Sequence, residues 1–325
     1  MANIREIAKL AGVSVTTVSR VLNDHPYVSE EKKSAVYKAM EELNYNRNIK
    51  AIQLSKGISN MIGVVLPTIE HPYFSRIVEG IAEEAIKHHL QIVLFQTNYE
   101  TSKELDALEL LRGNLMDGLV FCSRAISFDT LNEYKEHGPI ILCEDSDQEE
   151  FPTISIPHEQ AFKFGLEYLI SKGHTRIAYS LGRKEGTNST KRRKAYENKM
   201  REINQPLRDE WFFDQCLSIK DGQQIGRKYM NVKEKPTAIL VSNDQVAAGL
   251  LLEANELKLK IPEDLAVLSF DNQPISEAMH ISTIEIPIIE MGRMAVTSII
   301  NSKNKTNSTD KKITLPFRLV ERSTV

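Results

Sequence analysis

Two different spacings of apolar residues divide the chain. In residues 1–45, apolar positions recur every three or four residues, as in short amphipathic helices. From residue 61 onward, short apolar runs such as MIGVVLP (61–67) and GLVFCS (118–123) alternate with amphipathic segments. Near-continuous apolar strands separated by helices are typical of a parallel sheet covered on both faces. The pattern therefore predicts a small all-α domain followed by a larger α/β region.

The segment NIREIAKLAGVSVTTVSRVL (3–22) predicts two helices joined by a tight corner. Asn3 and Ser14 are placed to cap the two helices, and Gly12 permits the turn between them. The apolar residues of the second helix face the first helix. The side chains left for solvent are Val15, Thr16, Thr17, Ser19 and Arg20.

Short hydroxyl side chains at a helix start, followed one turn later by arginine, suit a helix whose N-terminal end enters the major groove of DNA. Threonine offers a hydrogen bond and a methyl group, and arginine can make a bidentate pair with guanine. Spacing alone leaves an ordinary solvated helical hairpin as an alternative. A third helix, from Ser29 to Leu43, would complete the apolar core of this domain.

The distribution of charge gives modest support. Residues 1–60 contain nine Lys or Arg and six Asp or Glu, although the whole chain has a formal net charge of −3. The basic excess therefore lies where DNA contact is predicted. Many soluble domains carry a similar excess, so the motif has to decide.

The strings IREIAKLAGVSVTTVSRVLN and VSEEKKSAVYKAMEELNY resemble, at nearly every position, the DNA-binding headpiece of the LacI/GalR family of bacterial transcription repressors. The resemblance implies an all-α helix-turn-helix domain in residues 1–45. It implies that Val15, Thr16 and Arg20 read bases, and that phosphate contacts come from Ser14, Thr17, Ser19, Asn23 and Tyr27. It also implies a homodimer, with a tetramer left open, on pseudo-palindromic operator DNA.

Residues 46–58 form a polar connection that contains a short apolar stripe. By the same resemblance, Asn48–Ser55 would be a hinge helix that contacts DNA, including through Asn48, and inserts Leu54 into a base step of the minor groove. A flexible linker is the alternative. Family members usually have proline where this chain has Arg47, so the resemblance is incomplete at the start of the hinge.

Residues 59–325 resemble the periplasmic-binding-protein-like core of the family along their whole length. We therefore expect two doubly wound parallel-sheet lobes. The N-terminal lobe would contain residues 59–156 and 287–311, and the C-terminal lobe residues 157–286 and 312–325, with crossings near residues 156, 286 and 312. Because ligands bind beyond the carboxyl ends of such strands, the cleft between the lobes is the expected pocket.

Family motifs near the strand ends imply six effector contacts, which are Tyr73, Phe74, Glu144, Arg192, Asn243 and Asp271. A carboxylate such as Glu144 can accept hydrogen bonds from sugar hydroxyls, and the forked donors of Arg192 can bind ligand oxygens. The adjacent Arg193 leaves this register open by one residue.

Each of these assignments has a structural alternative. Asn243 and the following Asp244 could equally serve to cap a helix. The charged residues could be solvated loop residues. Trp211 and Phe270 are further candidates for stacking on a sugar ring, but most aromatic residues in such chains belong to the core.

Several classes of protein are disfavoured. The chain contains no GxSxG, GxxxxGK[ST], HExxH or post-strand GxGxxG motif, so we expect no enzyme. Its three cysteines lack metal-ligand spacing, so we expect reduced packing residues and no metal or cofactor. No secretory signal is present, and no apolar segment approaches the roughly 20 residues that span a bilayer. We therefore expect a cytoplasmic protein without a membrane partner.

These expectations combine into a transcription repressor whose affinity for DNA is switched by a small molecule. Family habit and an acid-rich cleft favour a carbohydrate such as an α-glucoside. One alternative retains DNA binding but replaces the sugar by a phosphorylated protein co-repressor, as in catabolite-control members of the family. A transport-type solute-binding protein is the alternative from another class, although it would have no use for a DNA-reading headpiece.

Overall fold

The computed structural model describes residues 3–23, 25–45, 58–144, 146, 150–183, 186–303 and 312–325. The chain divides into two compact units, Met1–Ile58 and Ser59–Val325. The predicted hinge helix, Asn48–Ser55, lies outside the described residues, and so do its two predicted DNA contacts, Asn48 and Leu54.

Within residues 3–23 and 25–45, the first unit contains three helices, α1 (Ile4–Leu10), α2 (Val15–Leu22) and α3 (Glu30–Glu42). The side chain of Asn3 caps α1, and the carboxylate of Glu6 accepts the amide of Asn3 in return, at 3.0 Å. The helices enclose one apolar core. Its buried members are Ile7, Ala8, Val18, Val21, Leu22, Val28, Val36 and Ala39.

The corner between α1 and α2 depends on Gly12. This residue has a φ of 64°, in the left-handed region that favours glycine. The amide of Val13 then donates to the carbonyl oxygen of Ala8 at 3.0 Å, which closes the end of α1. The local sequence thus determines the angle at which the two helices meet.

The first lobe of the second unit contains a six-stranded sheet in the order β11-β5-β4-β3-β1-β2. The strands are β1 (Met61–Leu66), β2 (Gln91–Gln96), β3 (Leu119–Phe121), β4 (Ile140–Leu142), β5 (Thr153–Ser155) and β11 (Lys312–Thr314). All adjacent pairs are parallel. The helices of this lobe are α4 (Pro72–Lys87), α5 (Thr101–Arg112), α6 (Phe128–Asn132) and α12 (Ile288–Lys303).

The second lobe repeats this plan with the order β12-β10-β9-β8-β6-β7. Its strands are β6 (Ile177–Ser180), β7 (Phe212–Phe213), β8 (Ala238–Leu240), β9 (Ala266–Asp271), β10 (Ser282–Glu285) and β12 (Arg318–Val320). Its helices are α7 (His158–Ser171), α8 (Thr187–Glu202), α9 (Ile219–Met230), α10 (Asp244–Glu256) and α11 (Pro274–Ala278), with a 3₁₀ turn at Asp209–Trp211.

The predicted fold class, an all-α domain followed by two parallel-sheet lobes, is confirmed. Each sheet has an apolar cluster on both faces, as expected for strands covered by helices on two sides. The exception to parallel pairing is the edge strand β12, which runs antiparallel to β10.

The sequence predicted the third crossing between the lobes near residue 312. In the structure this crossing lies later in the chain. Lys312–Thr314 pairs in parallel with Thr153–Ser155 of the first lobe, and only Arg318–Val320 pairs in the second lobe. The first lobe therefore includes β11. The sequence prediction treated residues 312–325 as a single segment. In the structure this segment contains two short strands separated by three residues, and the first of them pairs with the edge of β5.

The same packing device joins one pair of helices in each lobe. Gly80 of α4 faces Gly292 of α12, and Gly222 of α9 faces Gly249 of α10. A Cβ atom at any of the four positions would overlap a backbone carbonyl oxygen of the opposite helix. Glycine therefore permits the close helix contact that buries each pair against its sheet.

None of the helices in the described ranges is long and apolar enough to cross a lipid bilayer.

Candidate functional site

Helix α2 presents a small polar face opposite its buried side. Val15 is 46% exposed, and Thr16, Ser19 and Arg20 are also exposed, while Val18, Val21 and Leu22 anchor the helix. The exposed set begins at the first residue of the helix and extends over two turns. The sequence assigned base reading to Val15, Thr16 and Arg20. None of these side chains belongs to the apolar core of the unit.

The hydroxyl groups of Ser14 and Thr17 have a structural task. The Oγ atom of Ser14 accepts the amide of Thr17 at 3.1 Å and lies 2.9 Å from its hydroxyl oxygen. Asn23 ends the helix, and its amide side chain donates to the carbonyl oxygen of Ser19 at 2.8 Å. Tyr27 is 86% exposed in the following turn. Of the five predicted phosphate-contacting residues, Thr17 and Ser19 thus lie in α2, and Ser14, Asn23 and Tyr27 lie before or after it in the chain.

A cavity of about 190 Å³ lies between the two lobes of the second unit. It is lined by the strand-end loops of both sheets, as expected for doubly wound folds. The six predicted effector residues, Tyr73, Phe74, Glu144, Arg192, Asn243 and Asp271, all line it. The structure therefore brings together side chains that are as many as 198 positions apart in the sequence.

Arg192 of α8 lies at the centre of the second-lobe wall and is buried. Its guanidinium donates to the carbonyl oxygen of Ser242 at 3.0 Å and stacks 4.2 Å from the ring centre of Phe270. The buried Nε atom of Arg192 and the Oδ1 atom of Asn188, which also lines the cavity, have no hydrogen-bond partner within the described part of the chain. Within the described residues, the donor capacity of Arg192 is therefore only partly used.

The open choice between Arg192 and Arg193 has a structural answer. Arg193 does not line the cavity, and its guanidinium lies 5.1 Å from the ring centre of Phe212. Residues 192 and 193 are consecutive on α8 and therefore point in directions about 100° apart. Arg192 is the one that faces the cavity.

Asp271 is held in an unusual backbone conformation at the end of β9. Its φ is 102° and that of Asn272 is 52°, both in the region that favours glycine. The side chain of Gln273 donates to Oδ2 of Asp271 at 2.9 Å. Burial raises the pKa of Asp271, and the positive charge of Arg192 opposes this shift. A strained, buried carboxylate at a cavity wall is a feature of functional sites.

The carboxylate of Asp244 stabilises the turn that follows Asp271. Its carboxylate accepts the amide of Gln273 at 2.6 Å, the hydroxyl of Thr283 at 2.8 Å and the hydroxyl of Ser269. Burial, followed by the nearby charge of Asp271, raises the pKa of Asp244. Asp244 neither lines the cavity nor caps α10, because it is the first residue of that helix, so it stabilises the turn instead of taking either predicted role.

Asn243 caps a helix and also lines the cavity. Its Oδ1 atom accepts the amides of Gln245 and Val246, at 2.9 and 3.1 Å, and so caps α10. Its amide nitrogen lies 3.4 Å from Nε2 of His71, across the cavity in the first lobe. One face of this side chain is therefore structural, and the other faces the cavity.

The first-lobe wall carries an ion pair that sequence reasoning missed. Nε of Arg124 donates to Oε1 of Glu144 at 2.7 Å, and the guanidinium lies 3.7 Å from the ring centre of Phe128. The loop that carries Arg124 is fixed by buried Glu104, which accepts the amides of Ala125 and Ile126. The sequence contained one indication of this residue. Arg124 lies in the segment SRA (123–125), shortly after a buried strand, just as Glu144 follows the next strand.

Tyr99 and Arg183 were also missed. The guanidinium of Arg183 lies 3.8 Å from the ring centre of Tyr99, so this pair joins the lobes at the cavity. Arg76 makes a further link by donating to the carbonyl oxygen of Asn272 at 3.2 Å. Nothing in the local sequence marks these pairs, because each joins residues from different lobes.

Part of the cavity lining is apolar. Tyr73 and Phe74 pack edge to face with ring centres 5.2 Å apart, and the buried thiols of Cys122 and Cys143 lie at the ends of neighbouring strands. Burial raises the pKa of Cys143 to about 12, which makes its thiol unreactive at neutral pH.

Trp211 and Phe270, the two further stacking candidates, belong to the core, which is the alternative that the sequence left open for them. Trp211 is fully buried in the apolar cluster on one face of the second sheet, and its Nε1 donates to the carbonyl oxygen of Glu234 at 2.8 Å. Phe270 is also fully buried, and it stacks on Phe162 beneath Arg192. Both aromatic rings stabilise the core, and neither lines the cavity.

Within the described ranges, no group of three or more His, Cys, Asp or Glu side chains is arranged to hold a metal ion.

Comparison with known proteins assigns both units to the same group. Residues 3–48 match the family model described as "Bacterial regulatory proteins, lacI family", and residues 59–321 match "Periplasmic binding proteins and sugar binding domain of LacI family". The chain is 52% identical over 325 residues to the uncharacterized HTH-type transcriptional regulator YkvZ of Bacillus subtilis (strain 168), with 100% of each chain covered.

Two further relatives extend this comparison. Catabolite control protein B of Bacillus subtilis (strain 168) is 37% identical, over 93% of this chain and 96% of that protein. A crystal structure of the lac repressor dimer, bound to operator and the anti-inducer ONPF, has a TM-score of 0.84 at 26% identity and covers 99% of this chain and 98% of that one.

Proposed function

Because the chain belongs to the LacI family of bacterial transcriptional regulators, which are not enzymes, we propose that it represses transcription as a homodimer on a pseudo-palindromic operator. A small polyhydroxylated molecule in the cavity between the lobes changes its operator affinity. The match of residues 3–48 to the regulatory headpiece decides against a transport-type solute-binding protein.

The observation that supports DNA binding most strongly is the exposed face of α2. A helix of eight residues that is capped by Ser14 and anchored by three buried apolar residues holds Thr16 and Arg20 in a fixed orientation. A rigid helix of this kind fits the major groove, where hydroxyl and guanidinium groups distinguish base pairs. On this proposal, the surrounding polar residues, including Ser19 and Tyr27, contact phosphates.

Selection from a random pool of DNA duplexes tests this function. The full-length chain should enrich a two-fold symmetric sequence, and its affinity should fall steeply between 50 and 200 mM salt, because phosphate contacts release counterions. A chain that lacks residues 1–58 is the control and should enrich nothing. If the full-length chain enriched no sequence, or if the truncated chain bound equally well, the proposal would be wrong.

The character of the cavity supports a carbohydrate effector. Each wall offers a positively charged donor and an acidic acceptor. These are Arg124 and Glu144 on one side, and Arg192 and Asp271 on the other. A hydroxyl group can donate to the carboxylates and accept from the guanidinium groups, and an aromatic face such as that of Tyr73 or Phe74 suits the C–H side of a sugar ring. A volume of about 190 Å³ is small for a ligand pocket and favours one sugar ring.

A thermal-shift screen with monosaccharides, α-glucosides and polyols tests the effector. At a concentration one hundred times its Kd, a true ligand stabilises the folded chain by about 2.7 kcal/mol and should raise the Tm of the second unit by roughly 5–10 °C. The substitution Glu144→Gln, which removes the charge at the first-lobe wall, should reduce this shift. The exposed Glu100→Gln serves as the matched control and should leave it unchanged.

The same ligand should change the affinity for the selected duplex about 5- to 150-fold, the usual range of allosteric coupling. A phosphorylated carrier protein, added in place of the sugars, tests the co-repressor alternative. A sugar that shifts the Tm but leaves duplex affinity unchanged would contradict the effector proposal.

A further inference from the structure

A buried carboxylate holds the chain at the point where it enters the second unit. Asp117 lies in the loop between α5 and β3 and is buried. Its Oδ1 atom accepts the amide and the hydroxyl of Ser59, at 2.8 and 3.0 Å, and its Oδ2 atom accepts the amide of Asn60 at 3.0 Å. Three donors on one carboxylate fix the direction of the chain directly after the predicted linker, residues 46–58.

Asp117 is also attached to the end of α12. The Nζ atom of Lys303, the last residue of this helix, lies 2.8 Å from Oδ2 of Asp117. Helix α12 begins at Ile288, just after the second crossing between the lobes, and its 16 residues span roughly 24 Å. One carboxylate therefore joins the linker exit to a helix whose other end lies at the lobe crossing.

Helix α12 also has a rigid connection to the cavity. It packs against α4 through the glycine contact of Gly80 and Gly292. Helix α4 begins beside the cavity, with Tyr73 and Phe74 in its first turn, and the hydroxyl of Tyr73 lies 4.0 Å from the sulfur of Met291 in α12. Packed helices therefore connect the cavity wall to the end of α12 without a loop between them.

The contacts of Asp117 are strong for their location. Burial by itself would raise the pKa of the carboxyl group, but the hydrogen bonds from Lys303 and from Ser59 outweigh it, and the net pKa is lowered. The group is therefore ionised at neutral pH, and its bonds to Ser59, Asn60 and Lys303 are charge-assisted. Removing the charge weakens every one of these attachments.

We propose that Asp117 is a positioning residue that anchors the start of the second unit to α12, and that this anchoring raises the operator affinity of the dimer. This inference rests on the proposed function as a DNA-binding regulator. When the attachment is firm, binding of one headpiece gives the second a high effective concentration at its half-site. When it is loose, that concentration falls and operator affinity falls with it.

Duplex binding by the full-length variant Asp117→Asn tests the proposal. The probe is the duplex that the unaltered chain enriches from a random pool. We expect affinity to fall about tenfold, together with faster amide exchange at Ser59 and Asn60, at a temperature where both units remain folded. Lys303→Gln removes only the attachment to α12 and should reduce affinity by about threefold without unfolding the chain.

The matched control is Asp221→Asn. Asp221 accepts the amides of Leu217 and Ser218 and the hydroxyl of Ser218, at 3.0, 2.8 and 2.7 Å, in the second lobe and away from the linker exit. The variant Asp221→Asn loses a comparable set of hydrogen bonds. Its stability should therefore fall, while its duplex affinity stays within twofold of that of the unaltered chain. A general loss of stability would affect duplex binding by both variants alike.

The outcomes separate the two proposals. Unchanged duplex affinity in both Asp117→Asn and Lys303→Gln would overturn the positioning role, as would an equal loss in Asp221→Asn. If Asp117→Asn fails to fold, the result for Lys303→Gln decides alone. Failure of the unaltered chain to enrich any duplex would instead remove the proposed function, and the inference with it.

Discussion

Replacement of Gly80 by alanine is expected to lower the free energy of unfolding of the second unit by about 3 kcal/mol, at the upper end of the range for overpacking. An added Cβ would overlap the carbonyl oxygen of Ile289 and lie 2.8 Å from its carbonyl carbon and 3.2 Å from the amide nitrogen of Arg293. These are backbone atoms of α12, so no side-chain rotation relieves the overlap. The Tm of the second unit should fall by about 6–12 °C in calorimetry.

Gly113→Ala provides the matched control for this prediction. Gly113 follows α5 with a φ of −77°, and its nearest neighbour to an added Cβ is the carbonyl oxygen of Glu109 at 3.4 Å. Alanine should fit there with little change in Tm, because it restricts the unfolded chain without a clash. Equal Tm values for the two variants would show that α4 and α12 are not in close contact.

The substitution Arg20→Ala is expected to weaken binding to the selected duplex by about 5- to 150-fold, which corresponds to the 1–3 kcal/mol typical of a bidentate base contact. The loss should be concentrated at one base pair of each half-site, where the variant tolerates substitutions that the unaltered chain rejects. Because Arg20 is exposed and the core residues of α2 remain, the fold of the headpiece should not change.

Lys38→Ala removes the same charge from an exposed position on α3 and is the control. It should change duplex affinity little and leave sequence preference intact, since it lies outside the predicted recognition helix. Circular dichroism of both variants checks the fold. If Arg20→Ala lost affinity equally for every duplex sequence, Arg20 would contact phosphate and not a base.

The headpiece was the part of the protein that local sequence described best. A capping asparagine, a glycine with positive φ and a capping serine act within three or four residues of themselves, so short-range order determines two helices and their corner. The exposed face of α2 follows from the same periodicity. The hinge residues Asn48 and Leu54 remain a sequence prediction.

The second unit was predictable in its plan and less so in its details. Apolar runs alternating with amphipathic segments determine parallel sheets, and ligands bind beyond the carboxyl ends of such strands, so Glu144 and Asp271 were expected to face the cleft from opposite lobes. The pairing of β11 was not predictable. The residue pattern of β11 would suit an edge strand of either sheet. Its position in the first sheet follows from its pairing with the edge of β5.

By itself, the sequence determined the elements, their periodicity and the family, because these depend on the order of neighbouring residues. Only the tertiary structure determined which side chains meet. The contacts of Arg124 with Glu144, of Arg183 with Tyr99 and of Asp117 with Ser59 join residues that are distant along the chain. Such contacts arise from the packing of whole helices and sheets, and no local pattern of residues encodes the distance between two loops.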